Sequence, residues 1–150
     1  MTTVSRQTAA QPGMLRIITS APLRFLALAA LCSAYIQGPL VKIVDFPSAI
    51  AEMNHFGLSP APVFAIIVII FELTMSALVL SGIYRWAAAF ALSGFTIMAT
   101  LLALRFWVLP PGMERSMAMN GFFEHLGLAG AFIFVALVDI ASRHPVKTKV

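Results

Sequence analysis

Glu72 is an acid set inside an otherwise uncharged apolar run, Val63 to Ser81. If that run is a helix, the carboxyl lies roughly 14 Å along it, because each residue advances the axis by about 1.5 Å. An acid at that depth in hydrocarbon costs about 2.5–3.5 kcal/mol on insertion scales, so its side chain must turn toward other helices. Away from any cation, desolvation favours the neutral form, which can donate as well as accept a hydrogen bond. Ser76 shares the same helix face one turn on, and Ser33 and Thr96 reach a matching depth on other apolar runs. Such a set can handle a proton or anchor a ligand. Equally, it can be an interhelical hydrogen bond that only fixes packing.

A second group of polar residues falls at the edges of the apolar runs. Lys42, Arg105, Glu124 and His125 should share one depth near the outer interface. If the third and fourth runs are neighbours, Arg105 and Glu124 can pair there, and His125 adds a group able to exchange a proton. Together the four would form a polar vestibule leading toward Glu72. The competing reading is that each extends separately to water, as long side chains at helix ends readily do. Asp139, Arg143 and His144 at the opposite end read as ordinary helix-end solvation. His55, His125 and His144 lack the spacing of metal ligands, so no metal site is expected. Cys32 is the single cysteine, which rules out an intrachain disulfide or a CxxC redox pair. No GxSxG, Walker or HExxH pattern occurs.

These residues must be positioned by a chain with very little polar surface. Of 150 residues, 60% are hydrophobic and 11% charged, with a mean hydropathy of +0.92. A soluble domain carries about 25% charged residues. The spacing predicts an all-α, membrane-embedded, antiparallel four-helix bundle in residues 21–142, with spans over about 23–41, 62–81, 86–107 and 121–141. Gly38-Pro39 marks the end of the first span. Residues 1–20 form a polar N-terminal tail and 143–150 a basic tail. Arg6, Arg16 and Arg24 before an apolar stretch superficially resemble a secretory leader. Leu31, however, stands where a small residue would precede a processed Cys32, so cleavage is not expected. The longest polar connection, 42–62, should hold a short amphipathic surface helix over Pro47–Phe56, with Ile50, Met53 and Phe56 inward and Gly57 ending it. The segment 108–120, with its Pro-Pro-Gly break, reads as a loop.

The net charge of +4 and a pI near 9.9 do not indicate nucleic-acid binding, because the basic residues flank apolar runs instead of sharing one face. They set topology. With the N-terminus inside, Arg6, Arg16, Arg24, Arg85, Arg143, Lys147 and Lys149 lie on the cytoplasmic side, against Lys42, Arg105 and Arg115 outside. Four spans with both termini cytoplasmic satisfy the positive-inside rule. Small residues should draw the helices together: Ala89, Ser93, Thr96, Thr100 and Ala103 in the third span, Gly127 and Ala131 in the fourth, and Ala30, Ala34 and Gln37 in the first.

The runs GPLVKIVDF (Gly38–Phe46), FGLSPAP (Phe56–Pro62), FEL with Glu72 and SGIYRWAAA (Ser81–Ala89) occur in that order. RFW (Arg105–Trp107), a Pro-Gly loop and NGFFEHLGLAGAF (Asn120–Phe132) follow. Their order and spacing over about residues 20–141 resemble the DoxX family of small four-helix membrane proteins. By that resemblance Lys42, Glu72 and Arg85 match the family's lysine after the first helix, acid in the second and arginine in the inner turn. Two departures stand out: three residues separate Gly38 from Lys42, and Glu124-His125 stands where a Lys-Asn pair is frequent. The resemblance implies a redox-associated subunit of the inner membrane, as in thiosulfate:quinone oxidoreductase. Such a subunit would contact quinone and soluble or membrane redox proteins, and it could form a homo-oligomer in the bilayer. Other relatives act in receptor assembly, so a non-catalytic scaffold remains the second reading. A small proton-coupled transporter is the third, although one four-helix bundle has little room for alternating access.

Overall fold

In the computed structural model, which describes residues 20–143, the chain is helical throughout apart from its connections. Five α-helices follow in order: α1 (Ala21–Val44), α2 (Phe46–His55), α3 (Ala61–Ser81), α4 (Arg85–Ala103) and α5 (Met113–Arg143). A 3₁₀ turn, Phe106–Val108, lies between α4 and α5. Four of these elements are long and apolar enough to cross a bilayer: α1, α3, α4 extended through Val108, and α5. The chain is an all-α membrane bundle. The polar tails at 1–20 and 143–150, and His144, fall outside the described residues except for Ser20 and Arg143.

The connections obey local chemistry. Asp45 separates α1 from α2 and its carboxylate accepts the Ser48 N–H at 3.1 Å, capping the short helix. Gly57, at φ +71°, turns the chain out of α2. Gly82, at φ +85°, ends α3 in the left-handed conformation, and its N–H bonds the Leu78 carbonyl at 3.1 Å. Two expected boundaries move. Helix α1 runs on through Pro39, which is buried, to Val44. Proline forfeits one backbone bond, but the tertiary contacts around it hold the last turns. Helix α5 begins at Met113, well before the apolar run at 121, because only the Pro-Pro-Gly break at 110–112 opposes helix there.

Packing runs α1 beside α3, α3 beside α4 and α4 beside α5, with α2 lying against α3. The main core gathers Leu28, Cys32 and Tyr35 of α1, Val79 of α3, Ala88, Ala89 and Leu92 of α4, and Phe132 and Ala136 of α5. A second cluster seats Ala49 and Met53 of α2 on Ala61 and Ala65 of α3. Met53 is thus inward as expected, while Ile50 and Phe56 are half-buried. The small-residue stripe of α4 is buried from Ala89 through Ser93 and Thr96 to Thr100, and the Ser93 hydroxyl donates to the Ala129 carbonyl of α5 at 3.0 Å. The faces expected for its neighbours are not the ones used. Ala30, Ala34 and Gln37 of α1 are exposed, and α1 instead buries Leu28, Cys32, Tyr35 and Pro39. In α5 the buried set is Ala129, Phe132, Ala136 and Asp139 in place of Gly127 and Ala131. Tyr35 and Phe132 explain both, since their rings meet edge to face at 5.3 Å between α1 and α5. Large aromatic contact area outweighs the closer approach that small residues allow.

Candidate functional site

Helix α3 carries Glu72 on the face that packs into the bundle, where the residue is 9% exposed. Its Oε2 atom is buried and has no hydrogen-bond partner, and the same is true of the Ser76 hydroxyl one turn away. Two cavities meet at this carboxyl. One, of about 150 Å³, is bounded by Tyr35 of α1, Phe95, Thr96 and Ala99 of α4, and His125 of α5. The other, of about 170 Å³, reaches from Glu72 past Phe95 and Ala99 to Met53 of α2 and Phe56 just beyond it, and ends at Lys42 and Glu52. Glu72, Phe95 and Ala99 line both, so the two form adjoining lobes of one chamber.

Polar groups at the rims of the chamber are tied down. Lys42 Nζ and Glu52 Oε2 pair at 2.9 Å, joining α1 to α2 at the mouth of the second lobe. In the first lobe Tyr35 and Thr96 are hydrogen-bonded through their hydroxyls. Thr96 and Thr100 each also donate to the carbonyl one turn back, at 2.6 Å. His125 Nδ1 lies 3.0 Å from the Thr100 hydroxyl. Among the residues lining the chamber the unpartnered buried atom is therefore on Glu72, and the Ser76 hydroxyl just beyond the lining is unpaired as well.

The chamber also has a side facing the bilayer. Between α3 and α4 runs an apolar groove of about 510 Å³, lined by Phe64, Ile67, Phe71, Phe90, Gly94 and others. Leu58, Val68, Phe95, Met98 and Leu102 belong to both the groove and the second lobe. One set of side chains thus separates hydrocarbon from the Glu72 carboxyl. Gly94 leaves the groove floor open, since a Cβ there would meet nothing within 4 Å.

The structure brings together part of the residue set expected from sequence. Glu72 and Thr96 share a lobe, with Ser76 buried one turn beyond and lining neither lobe. Ser33 is on the outward face of α1, its hydroxyl bonded to its own helix at Ala30, and does not meet Glu72. Of the vestibule residues, Lys42 and His125 each reach a lobe, whereas Arg105 and Glu124 are exposed and line neither. α4 and α5 are neighbours, yet no ion pair joins Arg105 to Glu124 among the described residues. Rings occupy that seam: Phe122 packs edge-on to Phe106 at 5.5 Å and to Trp107 at 5.8 Å. Tyr35 is absent from the set expected from sequence, and only the burial of the Leu28, Cys32, Tyr35 and Pro39 face reveals it. Asp139 departs from the solvated helix-end reading, because it is 4% exposed and held by two arginines.

Comparison with known proteins adds one result. A family model, DoxX, matches residues 24–105, which hold α1 through α4 with Lys42, Glu72 and Arg85. No curated protein and no solved structure matches the chain.

Proposed function

The chain belongs to the DoxX family, and on that premise we propose that it is a redox-associated membrane subunit that binds a lipid-soluble quinone in the Glu72 chamber. That it is a multi-pass membrane protein follows from the family and its four spanning helices. The observation that carries the finer reading is the groove between α3 and α4, which shares five side chains with a chamber holding an unpartnered buried carboxyl oxygen. A ligand with a polar ring and a long apolar tail fits that arrangement. The tail would lie in the groove while the ring passes Phe95 and Met98.

The residues present suit such a head group. Glu72 offers a carboxyl without a competing partner, able to donate to a carbonyl oxygen or accept from a hydroxyl. Phe95 forms an apolar wall common to both lobes, backed by Phe71 at 5.2 Å. The Lys42–Glu52 pair closes the end of the second lobe. When bound, a quinone would supply two-electron chemistry coupled to protons. The chain's own part is to orient the ring, limit water and hold or release a proton at Glu72. With one cysteine the chain cannot cycle an internal disulfide, so electrons would come from a partner redox protein or from quinol itself. We place it in the inner membrane with the Arg85 end cytoplasmic, following its arginines.

Gentle-detergent purification followed by lipid extraction tests this directly. Quinone should co-purify, and Glu72→Gln should lower the bound fraction and quinone-linked turnover by about tenfold, on the scale of one buried hydrogen bond. Absence of quinone from the wild-type protein, together with unchanged activity in the variant, would remove the reading. A scaffold role would then be left, in which changes in the 42–62 connection abolish partner association while Glu72→Gln does not.

A further inference from the structure

At the end of the bundle opposite Lys42, three helices and one turn gather arginines around a single acid. Asp139 of α5 accepts the Arg143 Nε–H at 2.8 Å and lies 3.7 Å from Arg85 Nη1. Arg85, which opens α4, also donates Nε–H to the Val79 carbonyl of α3 at 2.8 Å. Arg143 donates from Nη2 to the Gly82 carbonyl in the α3–α4 turn at 3.0 Å. Arg24, in the first turn of α1, is exposed and makes no ion pair among the described residues. Leu28, one turn further along α1, packs in one core cluster with Val79, Ala88 and Ala89, so Arg24 stands at the rim of the bundle on the Arg85 side.

Two guanidiniums therefore face one carboxylate, a third arginine stands at the same rim, and positive charge is left over. The Lys42 end is different: Lys42, Arg105 and Arg115 are outnumbered there by Asp45, Glu52, Glu114 and Glu124. Around the arginine end, Ile83, Tyr84 and Trp86 are exposed. Amphipathic rings are at home at headgroup level, so this cluster lies where lipid phosphates lie.

We propose that Arg24, Arg85 and Arg143 form a binding site for the phosphate of an anionic phospholipid. Arg85 is already fixed by its hydrogen bond to the Val79 carbonyl and its ion pair with Asp139, and Arg143 by hydrogen bonds to Asp139 and the Gly82 carbonyl, so little side-chain freedom is lost on binding. Arg24 supplies a charge that has no ion-pair partner among the described residues. Guanidinium forks match phosphate geometry with paired hydrogen bonds. The exposed Ile83 and Trp86 lie alongside acyl chains, which makes a lipid the occupant in preference to a free anion. The site is separate from the Glu72 chamber and does not depend on quinone binding there.

The test uses the full chain in neutral detergent, titrated with phosphatidylglycerol or phosphatidylcholine and read by native mass spectrometry. The wild-type protein should bind phosphatidylglycerol in preference. Arg24→Gln should weaken that binding about fivefold, the usual effect of one basic residue at an anionic surface, and leave phosphatidylcholine binding and the melting midpoint unchanged. Arg24→Lys should keep most of the preference, and Arg115→Gln at the other end should keep all of it. Equal binding of the two lipids, full retention by Arg24→Gln, or displacement of phosphatidylglycerol by inorganic phosphate alone would overturn the proposal.

Discussion

Two buried acids in this bundle have opposite circumstances. Asp139 is held by Arg143 and faces Arg85, whose side chain is itself only 14% exposed. Glu72 has no hydrogen-bond or ion-pair partner for its buried oxygen. The first is tied by opposite charge and the second has no such tie, and stability measurements separate the two. Asp139→Asn leaves Arg85 largely buried without its counter-charge and should cost about 3 kcal/mol, seen as a lowered midpoint in detergent melting. Glu72→Gln removes no native bond and should change stability by less than about 1 kcal/mol. A Glu72→Gln protein that melts as early as Asp139→Asn would mark Glu72 as a packing residue. Glu72 was legible in the sequence because a charge in an apolar run is conspicuous. Asp139 was not, because an acid near a helix end looks solvated until the partner arginine of another helix is placed beside it.

At the scale of elements, α4 is the one that organises the site. One face carries Ala88, Ala89, Leu92, Ser93, Thr96 and Thr100 into the core, and the adjacent face turns Gly94 and Met98 to the groove. Gly94→Leu should therefore block the groove while leaving the core untouched. Replacing glycine inside a helix favours the fold by about 0.5–1 kcal/mol, so the expected pattern is unchanged or higher melting with reduced quinone retention. Loss of neither would show that the groove does not serve the chamber. Gly82→Ala should act the other way. Its φ of +85° and a new Cβ 3.0 Å from Arg85 Nη2 both oppose the substitution, and the left-handed conformation alone costs about 1–2 kcal/mol. Melting would record this, with Gly82→Asn less affected because asparagine tolerates that region.

For the whole molecule, an even number of spans puts Tyr84 and the start of α1 at one end of the bundle and α2 at the other. Cysteine introduced at Tyr84 should be reached by a membrane-impermeant reagent only from the side opposite to cysteine introduced at Asn54. Cys32 gives no background, being fully buried. Labelling of both positions from the same side would break the four-span topology. With the arginines at the Tyr84 end, that side should be cytoplasmic.

What the sequence alone determined was the solvent and the secondary structure. Runs such as Val63–Ser81 and Trp86–Leu104 have too few polar atoms for a wetted surface, and in hydrocarbon each must satisfy its own backbone as helix. It also exposed Glu72 and the short helix of the 42–62 connection, through charge and period. Which face of each helix meets which neighbour was decided only by the tertiary structure. Apolar side chains lose little by facing lipid, so hydrophobic period does not separate inside from outside in a membrane helix. Shape does: the Tyr35–Phe132 contact goes with faces of α1 and α5 other than those expected, with Tyr35 in the chamber and Ser33 outside it.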